Sequence, residues 1–274
     1  MSLRINSNVS SLTAQRYLDK TQREIEHSQK ALASGKRVVN AGDDAAGFAI
    51  SESLRGQASG TRQAQSNAEN AVSLIQTAEG GLNEQNNILV RLRELAVYSA
   101  SDTIGDEERG FLDKEYQQLT QELDRVAKTT TFGAKKLLEG SGEEFEFQVG
   151  ANRSAENVIR FKLDQDTTSS NLDIDGLSVA DRDDARDNLE YIDTALQKVA
   201  STRATFGAMQ SRFQYAIDHL AVQGDSLETA RSRIVDVDVA KEVSNLVTNR
   251  IKQEAGISVL AQAKADAQRV LKLI

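Results

Sequence analysis

Residues able to do chemistry are few in this chain. His27 and His219 are its two histidines, and imidazole is the side chain that titrates nearest neutrality. Neither sits in a spacing used for catalysis. His27 neighbours the polar Glu26 and Ser28, and His219 adjoins the apolar Leu220, so both read as surface or flank positions of helices. There is no Cys, hence no thiolate nucleophile. No HExxH pair, no P-loop and no Cys/His cluster occurs, which removes the zinc-peptidase and nucleotide-hydrolase patterns. Gly42-Asp43-Asp44 offers adjacent carboxylates, but a calcium loop needs alternating oxygen ligands and a later Glu. The better use of Asp43 or Asp44 is to cap a following helix. Arg91, Arg93 and Glu94 lie off the apolar positions around them, where they can pair along a helix surface at i,i+3 or i,i+4. The chain is expected to be no enzyme and to hold neither cofactor nor metal.

The elements around these residues are long helices. The 274 residues contain no Pro, and proline is the residue that breaks helix interiors. Net charge is −8, which argues against a nucleic-acid partner. Residues 1–40 carry +4 and residues 240–274 carry +3, leaving −15 on the 199 residues between them. Two basic ends thus flank an acidic middle, a pattern expected to make assembly depend on ionic strength. No apolar run approaches the roughly 20 residues of a membrane span. The stretch Met1-Ser-Leu-Arg-Ile-Asn6 lacks the apolar core of a cleaved signal peptide.

Periodicity predicts a first helix from about Asn6 to Ser34, stopped by Gly35. A polar connector, GKRVVNAGDDAAG, leads to a second helix over about Ala45–Ser99. There Ala68, Ile75, Leu82, Leu89 and Ala96 lie seven apart, with Gln85 a polar exception on the companion row. Gly80-Gly81 is a weak point of that helix. A third helix spans about Asp106–Lys128. Alternation then predicts a β-hairpin, with Phe145, Phe147 and Val149 facing Ile159, Phe161 and Leu163. Glu146 is set to pair with Arg160 or Lys162 across it. Residues 164–178 are polar and read as loop. The fourth helix, about Asp181–Ile234, repeats Ile192, Val199, Phe206, Phe213 and Leu220 at strict heptad spacing.

Residues 240–274 differ. Val243, Val247, Ile251 and Val259 step by four or eight, so the apolar surface winds around a 3.6-residue helix. Leu271 continues the same row, whereas Leu246 and Leu260 fall on other sides. Such a helix has no single buried face and asks for several neighbours. Both termini are therefore expected to become ordered on assembly with other chains.

Five stretches carry a family resemblance: SLRINSNVSSLTAQRYL, ALASGKRVVNAGDDAAGFAIS, VRLRELAVYSAS, FQVGAN and SRIVDVDVAKEVSNLVTNRIKQEAGISVLAQA. In order and over nearly the whole chain they resemble bacterial flagellins. The resemblance implies a mainly α fold: a long antiparallel helical rod, coiled-coil-like, with one β-hairpin near 145–163, and N- and C-terminal helices pairing as an inner core. It divides the chain into residues 1–44, the inner-core helix and connector; 45–235, the rod domain; and 236–274, the second inner-core helix. Only about Asp164–Ala180 stands where large relatives carry outer domains, so the filament is expected to be thin and smooth.

The resemblance also assigns roles. The chain is expected to polymerise with itself into the extracellular flagellar filament, for swimming. Inner-core contacts between subunits fall on Ile5, Val9, Leu12, Val243, Leu246, Val247, Ile251, Val259, Leu260 and Leu271. The rod core falls on Ile75, Leu82, Leu89, Ile192, Val199, Phe206, Phe213 and Leu220. An export chaperone, filament cap and hook-junction proteins are implied partners, with passage through the flagellar type III channel. A vertebrate innate immune receptor is implied to bind at Arg91, Leu95 and Glu115. Val90 and Tyr98 stand where strongly recognised relatives carry Gln, and the final stretch lacks a proline that relatives often have. Two other functions compete. A hook–filament junction protein shares similar termini but fits the C-terminal block less well, and a secreted helical effector lacks a catalytic constellation.

Overall fold

Asn8 accepts the Ser11 amide through its side-chain oxygen at 3.0 Å and so opens helix α1, Val9–Ser34. Left-handed Gly35, at φ 69°, closes it. A conformation that costs a residue with a β carbon is cheap for glycine. The structure is a computed structural model and describes residues 8–140, 142–162 and 164–271, with the side chains of 266–271 left aside. Ile5 and Leu163 lie outside the described residues. Four more long helices follow: α2 Ala45–Ser99, α3 Asp106–Thr129, α4 Arg182–Val235 and α5 Val239–Leu271. The chain is mainly α, and the long helices start and stop within a few residues of the expected positions. Asp44 caps α2, its Oδ1 accepting the Gly47 amide at 2.9 Å.

The expected hairpin consists of β3, Glu144–Gln148, and β4, Val158–Lys162, in antiparallel register with Phe145 opposite Phe161 and Phe147 opposite Ile159. On its polar face Arg160 Nε donates to Glu146 Oε1 at 2.8 Å. A second antiparallel pair, β1 Thr131–Phe132 with β2 Lys135–Lys136, was not expected. Strands of two residues are too short for alternation to reveal them.

The backbone divides into two units: residues 1–57 with 225–274, and residues 58–224. In the second, α2 and α4 run antiparallel, as Arg93 pairs with Asp193 and Glu79 with Arg203. Helix α3 is antiparallel to α2, since Arg91 meets Glu115 and Gln85 Nε2 reaches Leu123 O. The heptad rows meet in one core formed by Ile75, Leu82, Leu89, Ile192, Val199, Phe206 and Phe213, and Leu220, further along α4, is buried as well. The hairpin lays Phe161 edge-on to Phe206 and Phe147 edge-on to Phe213, the geometry that aromatic quadrupoles favour. Helix α2 passes unbroken through Gly80-Gly81.

Residues 164–180 are more than a polar loop. Leu172, Ile174 and Val179 are buried in the same core. Backbone and side-chain bonds pin the segment. Thr167 N donates to Leu138 O, Asp124 accepts the Ser169 amide, and Asp113 accepts the Val179 amide and the Ser178 hydroxyl. Among the described residues, two polar atoms inside this core remain without a partner, Gln85 Oε1 and the Tyr116 hydroxyl.

Candidate assembly surface

Helices α1 and α5 pack against each other antiparallel. Asn8 Nδ2 donates to Ala263 O at 2.9 Å near one end, and Gln253 Nε2 donates to Gln22 Oε1 at 2.7 Å further along. Between these, a β carbon on Gly256 would come within 2.8 Å of Leu18 Cδ2. Glycine there lets the two helices approach closely. Ile25, Ser28 and Ala31 are buried on α1, but among the described side chains of α5 only Asn249 is buried.

The apolar residues of this unit therefore stay largely outside. Val9 is 61% exposed and Ile251 62%, and Leu12, Tyr17, Val239, Val243, Val247, Ile257 and Val259 are exposed as well. Leu246 and Leu260 are half-buried. Leu271 ends α5, but its side chain lies outside the described ones, as does Ile5. Full burial of such a side chain supplies roughly 1.5–3 kcal/mol relative to exposure, and contiguous exposed apolar surface of this kind marks an interaction site. The charged side chains on the same helices, Lys241, Arg250 and Lys252 among them, leave the surface basic. Val239 extends the four-residue row one step before Val243, and Tyr17 and Ile257 complete this surface without being singled out by that row.

A second exposed face lies in residues 58–224. Arg91 donates through Nε and Nη2 to Glu115 Oε1 at 2.9 and 2.8 Å, and through Nη1 to Glu94 Oε2 at 2.9 Å. These bonds, that to Glu115 foremost, hold its guanidinium above the usual arginine value. Arg93 Nε donates to Asp193 Oδ1 at 2.7 Å. Exposed pairs of this kind add little to stability. They do fix where charge is displayed, beside the exposed Val90, Val97, Tyr98 and Phe111.

Leu95 does not belong to that face. It is 2% exposed and lies in the core, so the expectation of an accessible apolar anchor is corrected. Helix α2 has neighbours on more than one side, which widens its buried stripe beyond a two-row seam. Leu74, Gly81, Ile88 and Leu95, seven apart, form the added row: Leu74 and Leu95 are buried, Ile88 packs against the core, and Thr130 and Leu138 close over Gly81.

Asp43 and Asp44 both hold backbone amides, with His27 beside Asp43. His219 is exposed. His27 Nε2 lies 3.5 Å from Asp43 Oδ1. Asp43 Oδ2 accepts the Val39 and Asn40 amides at 3.1 and 2.8 Å, and the Asn40 amide is the main reason its carboxyl titrates below the ordinary 3.8. One buried charge escaped the sequence reading. Arg109 donates to Ser99 O, Ser101 O and Asp106 at 2.8–2.9 Å, closing the α2–α3 turn. Its signal was its place seven residues before the seam residue Tyr116, where an apolar residue belongs.

Comparison with known proteins gives these surfaces a family. Residues 5–143 match the bacterial flagellin N-terminal helical region and residues 189–274 the bacterial flagellin C-terminal helical region. The flagellin of Halalkalibacterium halodurans is 38% identical over 271 residues, covering 98% of this chain and 99% of its own length. The flagellar filament 30.7 kDa core protein of Treponema maltophilum is 36% identical over 285 residues, covering 98% and 99%. The crystal structure of Bacillus cereus flagellin is similar at TM-score 0.51 and 32% identity, over 57% of this chain and 88% of that one. With both terminal helical regions matched in order and relatives above 30% identity covered almost end to end, this chain belongs to the bacterial flagellin family.

Proposed function

We propose that this chain is a structural subunit that polymerises with copies of itself into the bacterial flagellar filament. The observation that carries the reading is the apolar surface of α1 and α5, left exposed on a chain whose remaining core is closed. Helix α5 offers apolar side chains around its circumference, and a polymer can supply neighbours on several sides at once. Burial between copies is the source of affinity, and the exposed charge pairs of residues 58–224 set register more than strength. The domain division 1–44, 45–235 and 236–274 belongs to this reading, with the two terminal helices as the filament's inner core.

The finer parts of the proposal follow from family membership. The chain leaves the cell through the flagellar type III channel, with a chaperone covering Leu246, Ile251 and Leu260 beforehand. Filament cap and hook-junction proteins are its partners at the filament's ends. Arg91 and Glu115 form the charged part of a face that a vertebrate innate immune receptor binds in the free subunit, without Leu95 and more weakly because Val90 and Tyr98 replace amides. Electron microscopy of the purified chain after seeding tests the central claim. Long filaments are expected; short caps or persistent monomers would favour the junction-protein reading.

A further inference from the structure

The turn between β3 and β4 is tied down on α2. Asn67 Nδ2 donates to Gln148 O at 3.1 Å. Gln148 Nε2 donates to Gly150 O at 2.7 Å and to Asn152 O at 3.1 Å, and Asn157 Nδ2 donates to Asn152 O at 3.0 Å. A β carbon on Gly60 would come within 3.0 Å of Ala151 Cβ, so glycine lets the tip lie close against the helix. A turn held by this many bonds keeps one shape, and what it displays is Arg153. That side chain is exposed, and among the described residues its guanidinium has no carboxylate or carbonyl partner.

The opposite end of the same unit carries the opposite charge. Where α2 ends and α3 and α4 begin, an open cleft of about 300 Å³ is lined by Asp102, Ile104, Arg109, Asp181, Arg182 and Asp183. Its three carboxylates outnumber its two guanidiniums, and both guanidiniums are engaged. Arg109 is turned to the Ser99 and Ser101 carbonyls and Asp106, and Arg182 pairs with Asp102 at 2.6 Å and Asp183 at 3.3 Å. Glu107, Asp184 and Asp187, exposed near the starts of α3 and α4 and unpaired among the described residues, deepen the negative potential.

Along α2 the rise from Asn67, beneath the turn, to Ser99, beside the cleft, is roughly 50 Å, so Arg153 cannot reach the cleft of its own chain. The two features suit each other in kind, since a planar guanidinium binds carboxylates through paired hydrogen bonds. A contact between unlike surfaces of successive copies also repeats without closing, and so builds a filament. We propose that the hairpin tip is a knob and the cleft its socket: Arg153 of one copy seats among Asp102, Asp181 and Asp183 of a second copy. The bonds that fix the turn preorganise the knob, which lowers the cost of docking. The inference rests on the polymerisation reading above and names one contact within it.

The chain has no Cys, so introduced cysteines report the contact directly. Filaments of the Arg153→Cys, Asp183→Cys chain, treated with a short bismaleimide, are expected to yield a ladder of covalent multimers, whereas each single variant yields subunits. Arg153→Glu should slow seeded elongation at low salt about tenfold, and Arg153→Lys should slow it little. Adding Asp183→Arg to Arg153→Glu should restore most of the rate. Filaments of the two-cysteine chain that give no ladder overturn the contact and leave the polymerisation reading standing. So does wild-type elongation by Arg153→Glu, or a slowing that Asp183→Arg does not relieve. If the two-cysteine chain forms no filaments, the charge exchange decides alone. If the unsubstituted chain does not elongate from seeds, the polymerisation reading fails, and the contact fails with it unless concentrated two-cysteine subunits still cross-link into a ladder.

Discussion

Along α4, Ile192, Val199, Phe206 and Phe213 are buried inside the chain, whereas along α5 Val243, Val247, Ile251 and Val259 are exposed. Both helices are rich in the same residue types. What separates them is spacing. A row at seven keeps returning to one face of a helix, so two or three helices close it. A row at four drifts around the helix by about 40° a step, and α1, packed along one side of α5, cannot follow it. The first pattern spends its apolar surface within a subunit and the second holds it for other subunits.

Removing residues 240–274 is the strongest way to separate the two regions. The shortened chain is expected to form no filament under sedimentation, while residues 58–224 melt as in the whole chain. Filaments of native appearance from the shortened chain would end the distinction. Single residues sharpen it. Phe206→Ala should cost the free subunit about 3–5 kcal/mol, as for a large aromatic cut from a closed core. Ile251→Ala should change the free subunit by under ~0.5 kcal/mol yet impair elongation. Comparable denaturant midpoints for these two variants would contradict the comparison.

The seven-residue rows made most of the core of residues 58–224 legible, because a strict period over several turns leaves one choice of buried face. The winding surface of α5 was legible for the same reason in reverse. Leu172, Ile174 and Val179 were not. They are isolated apolar residues in a polar segment, held by side chains such as Asp113 and Asp124 that are distant in sequence. Leu95 was named as an accessible anchor because the resemblance implied it, and the row of Leu74, Ile88 and Leu95 shows that the buried stripe of α2 takes it in. A cap from Asp43 or Asp44 follows from sequence and the structure makes it Asp44, whereas the bond from Arg37 to Ile234 O spans 197 residues and has no local signature.

Tyr116 probes the closed core by pH. Burial and the charge of Asp113 push its phenol up from 10.0 to about 12, so the folded state favours the neutral form. A raised acid contributes nothing unfavourable below its unfolded pKa, and stability falls as pH climbs from about 10 toward 12. The loss at the upper end is ~2–3 kcal/mol. Tyr116→Phe should remove this alkaline step and, because the hydroxyl has no partner, leave neutral-pH stability equal or slightly higher. An alkaline transition unchanged in Tyr116→Phe would mean that another group drives it.

Within the closed core the smallest expected effect is at Gln85, the polar member of an otherwise apolar row. Its side chain is fully buried. Nε2 donates to Thr167 O at 3.0 Å and more weakly to Leu123 O at 3.4 Å, while Oε1 has no partner. Gln85→Leu would bury more apolar surface and remove the orphaned oxygen. It would also strand Thr167 O, since Leu123 O keeps its place in the helix. An unpaired buried carbonyl costs ~1–3 kcal/mol, close to what the new apolar burial returns, so the net change should lie within about 1 kcal/mol. The amide's work would then be local: it ties the segment 164–180 to α2, and exchange at residues 167–172 should quicken in Gln85→Leu while α2 and α4 stay protected. A global loss beyond roughly 3 kcal/mol would show that this polar layer holds the helices themselves together, and that the core of residues 58–224 is not the closed apolar seam that sets it apart from the terminal helices.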